Sequence, residues 1–225
     1  MNTRRNTGRL IGALFVAQFV GLLVGFILLL PAIGTDYLSV AAGVEAETRT
    51  AVVLLLAAGA VTFLLALVAF PVFRDYSERT ALWFLTISAI WIVMQSDDSI
   101  HILSMLSLSK RYAQDPAASA DAYNLLAATV RSTRVFAHYT ELLVMDVWFI
   151  SFYVALLAFR LVPRLLAALA VLGVVVHAIG LPIPMFIGYP IISELAYGNL
   201  VGYVLIGLWL IARGFPEGSP NAVDG

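Results

Sequence analysis

A chain of 225 residues that is 61% hydrophobic and 12% charged lies far from soluble domains, in which roughly a quarter of residues are charged, and its mean hydropathy of +0.94 makes lipid the expected solvent. Thirteen Lys and Arg against fourteen Asp and Glu leave a net charge of -1, too little field to hold nucleic acid. The lack of cysteine excludes disulfides, thiolate metal sites, iron–sulfur clusters and a cysteine nucleophile, so any chemistry falls to His, Asp, Glu, Ser, Tyr or Arg.

A bilayer-spanning helix needs about 20 mostly apolar residues, because the hydrocarbon is about 30 Å thick and each residue rises about 1.5 Å. The first such run, from Leu10 to Ile33, follows Arg4, Arg5 and Arg9. It is longer than the roughly 7 to 15 residues of a signal-peptide core, and no small-residue cleavage site ends it, so it is expected to be a retained first helix. The second run extends from Thr50 to Phe73 and is closed by Pro71 and the polar turn Arg74, Asp75, Tyr76, Ser77, Glu78, Arg79. The third begins near Thr80 and reaches Ser109, turning polar after Met94 with Gln95, Ser96, Asp97, Asp98, Ser99 and His101.

From Lys110 to Ser119, with Asp115-Pro116, the turn chemistry reads as an exposed connection. The fourth helix is expected to start near Ser119, where Asp121 suits a helix N-terminus, to enter the bilayer around Val135 and to leave near Phe159, ahead of Arg160 and Pro163. The fifth covers Arg164 to Leu181. Pro182, Pro184, Gly188 and Pro190 then break regular structure, which reads as a re-entrant turn or outer loop ahead of an interrupted transporter helix. The sixth runs from Ile191 to Ala212. The expected fold class is all-α, a polytopic membrane protein with a bundle of about six transmembrane helices in residues 1–215 and a flexible cytoplasmic tail at 216–225.

Cytoplasmic loops carry the excess of Lys and Arg. Arg4, Arg5, Arg9, Arg74, Arg79, Arg160, Arg164 and Arg213 fall on one side of the predicted spans. Arg49, Lys110, Arg111, Arg131 and Arg134 fall on the other, diluted by Asp36, Glu45, Glu47, Asp115 and Asp121. Both termini are therefore expected in the cytoplasm, with the chain in the cell (cytoplasmic) membrane.

Arg9-Leu10-Ile11-Gly12 opens the first helix, and Phe70-Pro71-Val72-Phe73-Arg74 is followed by Ala81-Leu82. Leu106-Ser107-Leu108-Ser109 ends the third helix. Phe159-Arg160-Leu161-Val162-Pro163-Arg164-Leu165 leads to Gly173, and Leu208-Trp209-Leu210-Ile211-Ala212-Arg213-Gly214-Phe215 closes the set. In these motifs, which cover most of the chain, the sequence resembles the bacterial polytopic membrane proteins grouped as domain of unknown function 4386. The resemblance implies a fold and no activity. The family pattern also favours an Arg and a Glu inside the third helix and a Glu within the last, near where this chain has Ser88, Trp91 and Tyr203.

An ionisable side chain inside a bilayer costs about 2.5 to 3.5 kcal/mol on the insertion scale, so each is expected to face the bundle interior with a partner. On the third helix Asp97 and Asp98 precede His101 by four and three residues, which puts each pair on one helical face; Ser104 continues it. On the fourth, Arg131, Arg134, His138, Glu141 and Met145 repeat that spacing. Counted from the cytoplasmic ends, Asp97, Asp98, His101, His138 and Glu141 lie roughly 25 to 33 Å up, with Glu194 at the same level and Asp146 and His177 near roughly 20 Å.

Two readings of this layer stay open. In one, His101 and His138 with a carboxylate of Asp97, Asp98 or Glu141 hold a metal ion, and Glu141 serves as a base. In the other, Asp97 or Asp98 pairs with Arg131 or Arg134, and the histidines hydrogen-bond to a network that fixes one helix against the next. No HExxH or comparable signature decides between them. His177, among Val174, Val175, Val176 and Ile179, reads as a hydrogen-bonded packing residue, a proton relay or one axial haem ligand. Asp146 reads as a transporter's proton site or as a buried acid bonded to Ser151, Tyr153 or backbone. Trp83, Trp148 and Trp209, with Tyr76, Tyr189 and Tyr197, read as interface anchors or packing.

The functional expectation is an integral membrane protein of unassigned activity. Its partners are the lipid bilayer and a small molecule or ion taken at Asp97, Asp98, His101, Arg134, His138 and Glu141, with a metal ion as the candidate cofactor. One alternative is an intramembrane metal-dependent hydrolase acting on a lipid or small amphiphile. The other is a proton-coupled small-molecule transporter using Asp146, His177 and Glu194.

Overall fold

The computed structural model describes residues 3–115, 120–183 and 192–217, with backbone alone for 3, 120 and 192–198. Six long helices are present among them: α1 (Thr3–Ile33), α2 (Glu45–Tyr76), α3 (Glu78–Gln114), α4 (Ala120–Ala158), α5 (Arg164–Gly180) and α6 (Ile192–Arg213). A single helical turn, Tyr37–Val40, and a 3-10 turn, Ala41–Val44, link α1 to α2. α1, the stretch Tyr37–Tyr76, α3 and α4 are long and apolar enough to cross a membrane, while Arg164–Gly180 and Asn199–Arg213 are shorter apolar helices.

The surface is inverted relative to a protein in water. Leu10, Ile27, Val53, Val93, Leu125 and Leu169 are exposed, whereas Gln18, Gln95, Asp98, Arg134, Glu141 and Asp146 are buried. Apolar residues alone would gain nothing from packing in lipid, so close approach and internal hydrogen bonds must hold the helices together. Gln18 of α1 donates to Thr62 of α2 in this way.

Each helix packs on its neighbours in sequence, and α6 packs back on α1 to close a ring. The closing seam brings backbones together: a Cβ on Gly12 would lie 2.7 Å from the Ile211 nitrogen and 2.9 Å from the Gly207 oxygen. One end of the ring gathers the arginine-rich segments. Arg4 pairs with Asp75 at 3.8 Å and lies over the Tyr76 ring, Tyr76 stacks on Phe159, and Arg9 Nη2 donates to the Ala212 carbonyl at 3.4 Å. At the opposite end the Tyr37 hydroxyl donates to the Ala127 carbonyl and the Ala42 N–H to Ser109 Oγ.

Several element ends differ from the expectation. α2 starts at Glu45 and runs through Pro71 to Tyr76; Pro71 removes one backbone donor without ending the helix. Residues 110–114, expected as an exposed connection, are the last turn of α3. They have partners there, since Lys110 pairs with Glu45 at 2.8 Å and Tyr112 packs on Tyr123. Pro182 and Ile183 remain helical. Pro184, Gly188, Tyr189 and Pro190 of the predicted break lie outside the described residues, as do 218–225 of the predicted tail and the side chains of Glu194 and Tyr197.

Two hairpins near the arginine-rich end are tightly made. Ser77 alone joins α2 to α3, with extended backbone and a hydroxyl that accepts the Thr80 N–H as an N-cap. At the end of α4, Arg160 takes a positive φ of 52°, the Leu161 N–H bonds to the Leu156 carbonyl, and the Arg160 N–H bonds to the Leu157 carbonyl. This is a Schellman cap with a non-glycine residue in the left-handed position, and the buried Leu161 supplies its apolar contact. Arg160→Gly is expected to stabilise the protein by about 0.5–1 kcal/mol by relieving that strain. Unfolding in a denaturing detergent series measures it, and an unchanged or lowered midpoint would contradict the assignment.

Candidate functional site

The inner face of α3 is written at intervals of three and four residues: Trp91, Gln95, Asp98, Ile102 and Met105 are all buried. On α4 the stripe of Arg134, His138, Glu141, Met145 and Phe149 meets it. Arg134 Nη2 donates to Asp98 Oδ2 at 3.2 Å, and its Nε stands 3.0 Å from Oδ1, an ion-pair approach without hydrogen-bond geometry. His138 Nδ1 lies 3.5 Å from Asp98 and 3.2 Å from Glu141 Oε2. The Trp91 indole N–H donates to Glu141 Oε1 at 3.0 Å.

Of the predicted layer, the structure brings together Asp98, Arg134, His138 and Glu141. Asp97 and His101 pair with each other at 3.7 Å, part-exposed and on their own. Arg131 lines a separate hollow with Thr35 and Tyr37. Donor atoms of Asp98, His138 and Glu141 lie within 4.8 Å of one another, close enough to share a metal ion, although Arg134 already sets a positive charge against Asp98.

A second buried centre sits on the neighbouring interface. Asp146 of α4 and His177 of α5 are joined through His177 Nδ1, at 2.7 Å to Oδ1 and 2.9 Å to Oδ2. Ser151 and Tyr153, expected as partners of Asp146, are engaged otherwise. Ser151 Oγ accepts the Trp83 indole N–H and donates to the Val147 carbonyl, and the Tyr153 hydroxyl has no partner among the described residues. For Ser151 the reason is rotational, since it lies five residues from Asp146, about 140° around the helix; Tyr153 shares the face of Asp146 but stands about 10 Å further along the axis.

Both centres border one cavity of about 550 Å³. Phe19, Leu22, Leu23 and Phe26 of α1 form an apolar wall; Asp98, Arg134, His138 and Glu141 form a charged one; His177, Asn199 and Tyr203 complete it. Gln95 Oε1, Asn199 Oδ1 and the Tyr203 hydroxyl are buried there without a hydrogen-bond partner among the described residues. Sequence reasoning did not select Asn199 as a site residue, and its place four residues before Tyr203 was the available signal. Leu23, Phe26 and Leu200 line the cavity and are also exposed, so its wall reaches the apolar outer surface at α1 and α6. Towards the arginine-rich end, Phe15, Trp148 and Phe152 plug the ring, Phe15 lying 6.1 Å from Trp148 and 5.2 Å from Phe152. Trp148, fully buried, is a packing residue whose indole N–H donates to Ser88 Oγ.

The Asp98–Arg134 pair is held out of water, so removing one partner strands the other charge. Arg134→Met is expected to destabilise the fold by about 3–5 kcal/mol, with much of the loss recovered in Arg134→Met/Asp98→Leu. Detergent unfolding of the two variants checks this; a double variant no better than the single one would contradict it.

The family described as domain of unknown function (DUF4386) matches residues 10–214, and the chain belongs to that family. No curated protein and no solved structure matches it.

Proposed function

We propose that this DUF4386 protein is a multi-pass protein of the cytoplasmic membrane, with both termini in the cytoplasm, that binds a small amphiphilic molecule in the cavity between its helices. The carrying observation is the two-sided lining of that cavity. Apolar side chains of α1 face the Asp98, Arg134, His138 and Glu141 cluster across about 550 Å³, a volume within the usual range of small-molecule sites, about 300–1,000 Å³. A tail would lie along Phe19, Leu22 and Phe26, and a polar head would meet the charged wall and the unpartnered Asn199 and Tyr203. Entry from the lipid side, between α1 and α6, spares such a molecule the passage through water. The arginines gathered at one end of the ring support the orientation.

Binding of a series of single-chain amphiphiles with cationic, neutral and anionic heads to the full chain in lipid nanodiscs tests this reading. At least one is expected to bind saturably and raise the thermal midpoint. Leu22→Trp, which fills the apolar wall, should weaken that binding about tenfold or more. No saturable binder in the series, or equal binding by Leu22→Trp, would refute it.

The clustering of Asp98, His138 and Glu141 donors favours a second reading, a metal-dependent enzyme acting on such an amphiphile within the membrane. His101, set against Asp97, would then not be a ligand. This reading requires about one ion per chain that survives dialysis against zinc- or manganese-free buffer and is lost in His138→Ala. Elemental analysis decides it, and a metal content equal in both proteins would remove it.

A further inference from the structure

We infer that the ligand of this cavity is an organic cation, and that its binding expels one proton from the Asp146–His177 pair; the inference rests on the reading of the cavity as an amphiphile site. The pair is buried, with side-chain exposures of 1% for Asp146 and 6% for His177. It lies on the α4–α5 interface, and His177 itself forms part of the cavity wall. His177 Nδ1 is committed to both oxygens of Asp146, and Nε2 makes no hydrogen bond among the described residues.

Charge neutrality sets the behaviour of such a pair. Holding one proton between carboxylate and imidazole, it carries no net charge; without that proton, it leaves one negative charge in an apolar interior, which is strongly disfavoured unless a positive charge stands beside it. A cation in the cavity supplies that positive charge. Conversely, the protonated pair offers a cation no net attraction, so proton and ligand compete.

The other groups facing the cavity do not remove this competition. Across it, Asp98 is matched by Arg134, and Glu141 is held by the Trp91 N–H with His138 beside it. α6 presents Asn199 and Tyr203, and α4 adds the buried phenol of Tyr153 next to the same aromatic group. The aromatic lining selects an organic cation over a hydrated inorganic one. Tyr203 lies 5.0 Å from Phe19 and 4.8 Å from Phe149, ring to ring, giving π faces for a poorly hydrated cation, while the α1 wall takes its apolar part. The step makes and breaks no bond to carbon: the proton passes from the pair to solvent water as the cation enters.

Tetraphenylphosphonium is a suitable probe, because its charge is fixed and any proton released on binding must come from the protein. Calorimetric titration of the full chain in nanodiscs, in two buffers of unlike ionisation enthalpy, counts the protons. About one is expected to be released per cation bound, with affinity rising up to about tenfold per pH unit while release is complete. Asp146→Asn, which leaves a neutral imidazole with no proton to exchange, is expected to bind with pH-independent affinity and no release, and His138→Gln to keep the release. Binding without proton release, release that persists in Asp146→Asn, or release lost in His138→Gln would overturn the inference; should Asp146→Asn not fold, the counts for the wild-type chain and His138→Gln decide. If a neutral monoacylglycerol or an anionic fatty acid binds and the phosphonium does not, the cation assignment falls and the amphiphile reading stands. If none of the three binds, both fall.

Discussion

Between α3 and α4, a guanidinium and a carboxylate face each other with almost no solvent access, and the rest of the bundle is arranged around that requirement. In an apolar surrounding, a charge has no water to retreat to, so Asp98 and Arg134 fix the rotation of both helices about their long axes. Once that rotation is set, the positions three and four residues along each helix are carried inward with them. Trp91 and Gln95 on α3, and His138, Glu141 and Met145 on α4, arrive at the interior as a consequence.

α4 serves two interfaces at once. The stripe from Arg134 to Phe149 faces α3 and the cavity, whereas Asp146, five residues beyond Glu141 and therefore turned by about 140°, reaches α5 and His177. One helix thus carries two polar centres that share a cavity wall but have separate partners. Close glycine packing between α1 and α6 at Gly12 and the aromatic plug around Phe15 and Trp148 close the ring on the arginine-rich side of that cavity, leaving its hollow part towards the other end.

Ser88, Trp91 and Tyr203, which stand near the places where the family resemblance implies charged residues, all lie in the interior. Ser88 accepts the Trp148 indole N–H, Trp91 donates to Glu141, and Tyr203 lines the cavity. These three are neutral groups, and the charge of this interior rests on Asp98, Arg134, Glu141, Asp146 and the two histidines beside them.

Much of this architecture was legible in the residue order alone. Long apolar runs, short polar hairpins and the clustering of arginine at alternate helix ends specify a helical bundle in lipid, because a spanning segment must satisfy its backbone internally and over a known length. The stripe on α4 was legible as well, since the spacing of Arg134, His138 and Glu141 is a property of one helix. Which of two adjacent acids turns inward was not: Asp97 and Asp98 differ by about 100° around the axis, and only the neighbouring helix determines that Asp98 meets Arg134 while Asp97 remains outside with His101. The pairing of Asp146 with His177, and the extension of α3 through residues 110–114 against Glu45 and Tyr123, likewise depend on the register between helices far apart in sequence. Periodicity fixes the angles between side chains on one helix, and packing alone decides where a second helix stands to receive them.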